Sequence, residues 1–392
     1  MTSQSLATRA VRAGIDSDPT HGAVAPPLFL SANFSFDGFG GKRAYDYTRS
    51  GNPTRDQLGD ALASLEGGVG GLITATGMGA VALVLHALLE PGDRLLVPHD
   101  CYGGCWRLFN ALAAKGAFTL DSCDFTDPVA TAEAIDRKPS LVWIETPSNP
   151  LLRVTDLAAV SEAARAARAL VVVDNTFLSP ALQRPMEHGA DIVVHSTTKY
   201  INGHSDVVGG AAIARDPAVL EQLAWWANTL GLAGSPFDSY LTLRGLRTLD
   251  ARLRIQQANC AALADLLVNH PAVAAVHFPG LVSHPGHSIA SRQQDGFGAM
   301  LSFDLVGGEL AVRAFVEGLT CFTLAESLGG VESLVAHPAT MTHAAMSEEA
   351  RARAGVGPGL LRVSVGIEDL GDLSADICAG LVRAASTKEL CR

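Results

Sequence analysis

The sequence predicts an α/β chain with a mostly parallel central sheet and a smaller C-terminal α+β domain. Three observations predict it. From about residue 60 to 230, short apolar runs alternate with helical stretches. The runs are near-continuously apolar instead of alternating, as expected of parallel strands covered on both faces. Several of them end on a polar residue, at the edge where such sheets bind their ligands.

Residues 1 to about 50 are rich in Gly, Pro and aromatics and lack sustained periodicity, which predicts an extended arm. Expected strands follow at Leu72–Ala75, Arg94–Val97, Phe118–Leu120, Leu141–Glu145, Leu170–Asp174, Asp191–His195 and Ala211–Ala214. Between two of them, Asp156–Ala169 has the Ala-rich period of a covering helix. A long helical pattern from about Asp250 to Asn269 leads into the second region, with expected strands Met300–Leu305, Cys321–Ala325 and Leu361–Val365. The division is an arm over 1–55, a large domain over 56–248 and a small domain over 249–392.

With 48% hydrophobic and 18% charged residues, the 392-residue chain is a well-packed globule and not a disordered one. A net charge of −11 argues against nucleic acid as the main partner. No apolar run is long enough to span a bilayer, and the N-terminus lacks a signal-peptide core, so a cytoplasmic location is expected. The seven cysteines show neither a CxxC pair nor a metal-ligand spacing, which predicts reduced thiols and no metal site.

The segment Asp191–Gly210 carries the most chemistry: an apolar run ends on His195-Ser196-Thr197-Thr198 and then presents Lys199. An amine beside hydroxyls at a strand end suits a lysine-bound aldehyde cofactor that carries a phosphate. The run Leu170–Asp174 ends on a carboxylate, which suits a protonated pyridinium nitrogen. Together Asp174 and Lys199 point to pyridoxal 5′-phosphate (PLP).

Thr76-Gly77-Met78-Gly79 joins a strand to a helix, and its small residues free the N–H groups of Gly77 and Met78 for an anion. Gly77-x-Gly79-x-x-Ala82, with Asp100 after the next strand, also fits a loose dinucleotide fingerprint. A dinucleotide domain needs neither Lys199 nor Asp174, which argues for PLP. Tyr102 follows a strand and is either a stacking platform or a packed surface tyrosine. Asn149, in a turn between Pro147 and Pro150, either contacts a substrate carboxylate or caps the turn. Arg362 lies in an apolar strand, where it needs either a structural ion pair or a bidentate carboxylate. Tyr47 and Arg49 in the arm offer a phenol and a guanidinium suited to phosphate, placed to serve a neighbouring subunit.

YxYxRSGNPTR, TGMGA, HDCYGG, ETPSNPLLRVTDL, VVDNTFLSP, HSTTKYINGHSD, AESLGGVESL and LLRVSVGIED follow one another from Tyr45 to Asp369. In these motifs the chain resembles the PLP enzymes of Cys/Met metabolism, and within them the cystathionine γ-synthase branch. The resemblance implies an aspartate aminotransferase-like PLP-dependent transferase fold and a homotetramer built from two active dimers. It implies Lys199 as the Schiff-base lysine and proton shuttle, with Tyr102 stacked on the ring as its catalytic companion, and Asp174 on the ring nitrogen. Gly77, Met78, Ser196 and Thr198 would bind the phosphate, joined by Tyr47 and Arg49 of the adjacent subunit. Asn149, Ser327 and Arg362 would hold the substrate α-carboxylate.

The implied reaction replaces the succinyl group of O-succinylhomoserine by L-cysteine, giving cystathionine and succinate, a transsulfuration step of methionine biosynthesis. Trp225-Trp226 resembles the synthases, Glu326 argues against the β-lyases, and Gly104 counts against methionine γ-lyases. Ser50 departs from synthases that carry a second arginine there, and cystathionine γ-lyase is the alternative it leaves. Arg107 is the candidate for the distal succinyl carboxylate, with Lys42 a weaker one.

Overall fold

The computed structural model describes residues 4–344 and 348–390. The chain divides into two compact units. The first comprises Met1–Pro98, Arg107–Glu145 and Asp156–Asp250; the second comprises His99–Trp106, Thr146–Thr155 and Ala251–Arg392.

Seven strands make the sheet of the first unit: β1 Gly70–Thr74, β2 Arg94–Pro98, β3 Thr119–Cys123, β4 Leu141–Glu145, β5 Leu170–Asp174, β6 Ile192–His195 and β7 Gly210–Ala214. Their order is β1-β7-β6-β5-β4-β2-β3. All neighbours are parallel except β7, which runs antiparallel to both β1 and β6. Every residue of β4, β6 and β7 is buried, which is why these segments read as unbroken apolar runs. Trp143 of β4 packs edge-to-face on Phe109 at 5.5 Å, and both rings are wholly buried.

The link from β4 to β5 uses the helix Leu157–Ala166, within the expected Asp156–Ala169. Asp156 caps it by accepting from Ala159 N, and Leu157, Val160 and Ala164 form its buried face. Burying three such side chains contributes on the order of 4 kcal/mol before entropy is counted. β5 and β6 pair with Asp174 opposite Val194, so their carboxyl ends lie level.

The helix Pro53–Glu66 starts at Asn52, whose side chain accepts from Thr54 N and Arg55 N, and stops at Gly67, held at φ 83°. It approaches β1 closely: a Cβ on Gly59 would stand 2.3 Å from the Gly71 carbonyl oxygen. Ahead of this helix, the arm holds the helix Leu6–Arg12 and a single bridge between Asn33 and Tyr47 among the described residues.

The second unit carries the strands β8 Val273–His277, β9 Met300–Leu305, β10 Thr323–Leu324, β11 Leu334–Ala336 and β12 Leu360–Ser364, in the order β10-β11-β12-β9-β8. The expected long helix is Leu249–Val268. Cys321–Ala325 shrinks to the two residues of β10. Two strands had no sequence signal. β8 has exposed alanines at an edge and so no alternation, while β11 is only three residues long.

Gly59→Ala is expected to destabilise the protein by about 2 kcal/mol, because helix and strand must separate to admit the methyl group. The measurement is the thermal midpoint, which should fall by at least about 4 °C. An unchanged midpoint would contradict the close packing described.

Candidate active site

Within the first unit, three turns meet at the carboxyl ends of β1, β5 and β6. The helix Gly77–Leu88 begins after β1, and its cap Thr76 accepts from Gly79 N at 2.8 Å. That leaves the Gly77 and Met78 N–H groups at the positive end of the helix dipole, both partly accessible. Beside them lies Ser196: a Cβ on Gly77 would come within 2.9 Å of Ser196 Cβ, so only glycine leaves a cradle there. Thr198 Oγ1 accepts from Gly209 N at 3.0 Å and lies 3.2 Å from the Gly209 carbonyl, which fixes the hydroxyl.

Lys199 stands in the turn after β6, its N–H reaching the Ser196 carbonyl at 3.3 Å and its carbonyl accepting from Gly203 N at 2.8 Å. Its side chain is half-buried. One strand away, Asp174 Oδ1 accepts from Thr176 N at 3.0 Å, while Thr176 Oγ1 accepts from Ser196 N at 2.9 Å. Dense surroundings desolvate Asp174 and push its pKa up, although one edge stays accessible. The Thr176 hydrogen bonds and the nearby His195 only partly oppose that shift. No lysine or arginine pairs with Asp174 among the described residues.

These residues fit PLP. A glycine-floored cradle of N–H and hydroxyl donors suits a phosphate, and a desolvated carboxylate lacking a cation suits a protonated ring nitrogen.

Tyr47 is half-exposed, and the Arg49 guanidinium lies 5.5 Å from its ring centroid. Arg49 Nε donates to Asn228 Oδ1 at 3.0 Å. The structure thus joins Tyr47 and Arg49 to each other and to the helix Pro217–Leu230. Ser50 Oγ donates to Asp46 at 2.8 Å, and Lys42 pairs with the same carboxylate at 2.9 Å. Arg107 is exposed.

In the second unit, Arg362 sits in the middle of β12 between Ala336 and Ser302 and is only 3% exposed. Its Nη1 donates to Asn149 Oδ1 at 3.1 Å and its Nη2 to the Ser327 carbonyl at 2.8 Å. Two acceptors, the Asn149 side-chain oxygen and the Ser327 carbonyl, fix the guanidinium plane. Ser327 holds φ 84°, a strained conformation for a residue with a Cβ. Glu326 beside it is exposed, as is Tyr102 at 42%.

Two further groups support Asn149, and sequence reasoning missed both roles. His343 Nε2 lies 3.2 Å from the Asn149 carbonyl. Burial, with Arg362 nearby, pushes the His343 pKa down to about 4, so the ring is neutral at pH 7. Asp100 is buried and accepts from Ser148 Oγ at 2.7 Å and from Arg153 Nη1 at 2.8 Å. It therefore locks the Tyr102 segment to the Asn149 turn, and its carboxylate is committed there, not to a ribose hydroxyl. A residue's pairing across 53 positions leaves no local pattern; the only available signal was a carboxylate next to a strand end.

The profile of the Cys/Met metabolism PLP-dependent enzymes matches residues 7–382. The cystathionine γ-synthase of Escherichia coli (strain K12) is 56% identical over 380 residues, spanning 97% of this chain and 98% of that protein. The crystal structure of cystathionine γ-synthase from Xanthomonas oryzae pv. oryzae in complex with cystathionine has a TM-score of 0.98 at 69% identity. That match covers 98% of this chain and all of the other. The cystathionine γ-lyase of Lactobacillus plantarum complexed with L-serine has a TM-score of 0.94 at 39% identity, covering 97% of this chain and 100% of that one.

The lowered His343 pKa sets a pH dependence. A histidine whose pKa falls on folding binds fewer protons when folded, so its contribution is complete above pH 6.5 and lost as pH falls towards 4. His284, also pushed down to about 4, adds to the same window. His343→Gln is expected to remove about 2 kcal/mol of the stability lost between pH 6.5 and pH 4. Urea midpoints at both pH values measure it; an unchanged difference between them would contradict the buried neutral ring.

Proposed function

Since the chain belongs to the Cys/Met metabolism PLP-dependent enzymes, we propose that it replaces the succinyl group of O-succinylhomoserine by L-cysteine. The products are cystathionine and succinate, and the cofactor is pyridoxal 5′-phosphate. The observation that carries the cofactor is Asp174, desolvated at a strand end, level with the turn that presents Lys199. The branch is carried by identity over nearly the whole chain: 69% to a γ-synthase against 39% to a γ-lyase.

When bound, PLP supplies the electron sink that acidifies the substrate Cα and then Cβ, so that a γ-substituent can leave. The chain's own groups do the rest. The Gly77 and Met78 N–H groups and the Ser196 and Thr198 hydroxyls bind the phosphate, with Tyr47 and Arg49 of an adjacent subunit completing the set. Asp174 would accept a hydrogen bond from the protonated ring nitrogen and so keep it charged. Lys199 Nζ takes the Cα proton and returns it, a task that suits an amine shielded from water. Tyr102 stacks on the ring. Arg362 binds the α-carboxylate bidentately, oriented by Asn149 and the Ser327 carbonyl, while Asn149 and Ser327 add polar contacts. Glu326 and Arg107 line the substrate's distal end, with Arg107 on the succinyl carboxylate.

Exposure of Tyr47 supports an arm that serves a second subunit, and the active form is a homotetramer of two dimers. Sedimentation of the full chain tests that assembly. No helix among the described residues is long and apolar enough to cross a membrane, which supports a cytoplasmic location.

Ser50 favours a second activity, cleavage of cystathionine as a γ-lyase, because its hydroxyl is bonded to Asp46 and offers a succinyl group no charge. Mass spectrometry of products separates the two. O-succinylhomoserine plus cysteine should give cystathionine much faster than cystathionine alone gives 2-oxobutyrate; the reverse order would establish the lyase.

Arg107→Ala should lower kcat/KM for O-succinylhomoserine by about 10-fold or more while changing O-acetylhomoserine little, since only the former carries a distal carboxylate. Equal losses for both substrates would remove Arg107 from that role.

A further inference from the structure

One carboxylate oxygen joins the sequence neighbours of two residues that hold opposite ends of the cofactor in the function proposed above. Glu66, the last residue of the helix Pro53–Glu66, is wholly buried. Its Oε1 accepts from Asn175 Nδ2 at 2.9 Å and lies 2.6 Å from His195 Nε2. Asn175 directly follows Asp174, and His195 directly precedes Ser196. Because Asp174 pairs with Val194, the next residue His195 turns to the opposite face of the sheet, where Glu66 meets it.

The place is poor for a carboxylate. It lies at the negative end of a helix dipole and away from water. Glu66 Oε2 and His195 Nδ1 meet no partner among the described residues. The short Glu66–His195 contact thus leaves one polar atom of each side chain buried without a partner among the described residues. Packing alone is served at lower cost by an apolar side chain.

We propose that Glu66, acting with His195 and Asn175, is a positioning residue that sets the span between the ring-nitrogen anchor Asp174 and the phosphate anchor Ser196. The proposal rests on the roles given above to Asp174 and Ser196. Beyond the backbone bond from Asn175 N to the Val194 carbonyl at 3.0 Å, two side chains join the turns: Glu66 on one face, and Thr176, whose Oγ1 accepts from Ser196 N at 2.9 Å. Asn175 is itself held by exchange with Gln183, donating to its carbonyl at 2.7 Å and accepting from its Nε2 at 3.1 Å. Glu66 thus bridges two fixed points, so its loss loosens the span between them.

The test measures PLP release from the purified holoenzyme into a trapping protein, together with the visible circular dichroism of the bound cofactor. Glu66→Leu should speed release about 10-fold or more and weaken the visible band, by analogy with outer partners of metal ligands. Glu66→Gln keeps the accepting oxygen and should release within about threefold of wild type. Asn175→Ala, which cuts one arm of the bridge together with the two bonds to Gln183, should speed release several-fold and carries the test if the leucine variant does not fold. Wild-type release and an intact band in Asn175→Ala or Glu66→Leu would overturn the proposal. So would equal losses in the Gln and Leu variants. A wild-type protein that holds no PLP would instead sink the functional assignment beneath it.

Discussion

Asp174 is a carboxyl group in dense surroundings with no lysine or arginine paired to it among the described residues, and its position in the first unit sets what the neighbouring turns can bind. Desolvating an ion costs several kcal/mol, and two hydrogen bonds from one threonine offset only part of it. A protonated ring nitrogen held beside Asp174 would offset part of that cost by Coulomb attraction. The carboxyl group therefore gains from a cationic partner, which a protonated ring nitrogen would supply.

Such a preference is useful only if geometry is held. Parallel pairing puts the ends of β5 and β6 level, so Asp174 and the lysine turn are neighbours. The Thr176 to Ser196 bond and the Glu66 bridge then tie those ends together on both faces. The second unit holds its own charged group in a fixed orientation. There Asn149 Oδ1 and the Ser327 carbonyl orient the buried guanidinium of Arg362.

Asp174 stood out in the sequence because it ends an unbroken apolar run, and Lys199 because it follows such a run after a short hydroxyl-bearing turn. Arg362 was legible as an arginine in need of a partner, and the structure supplies Asn149 and Ser327 as orienting acceptors. Glu66 was not legible, since a glutamate ending an amphipathic helix looks like a solvated surface residue; only its tertiary neighbours reveal the burial. The Asp100–Arg153 pair was hidden for the same reason, and Asp100 even suggested a different cofactor. Strands β8 and β11 escaped because an edge alanine pair and a three-residue run carry no period.

The most direct measurement is borohydride reduction of the purified protein followed by peptide mapping. Bleaching of a yellow preparation with the pyridoxyl label on Lys199 is the predicted result. A label on another lysine, or none at all in an active preparation, would contradict the cofactor site described for β5 and β6.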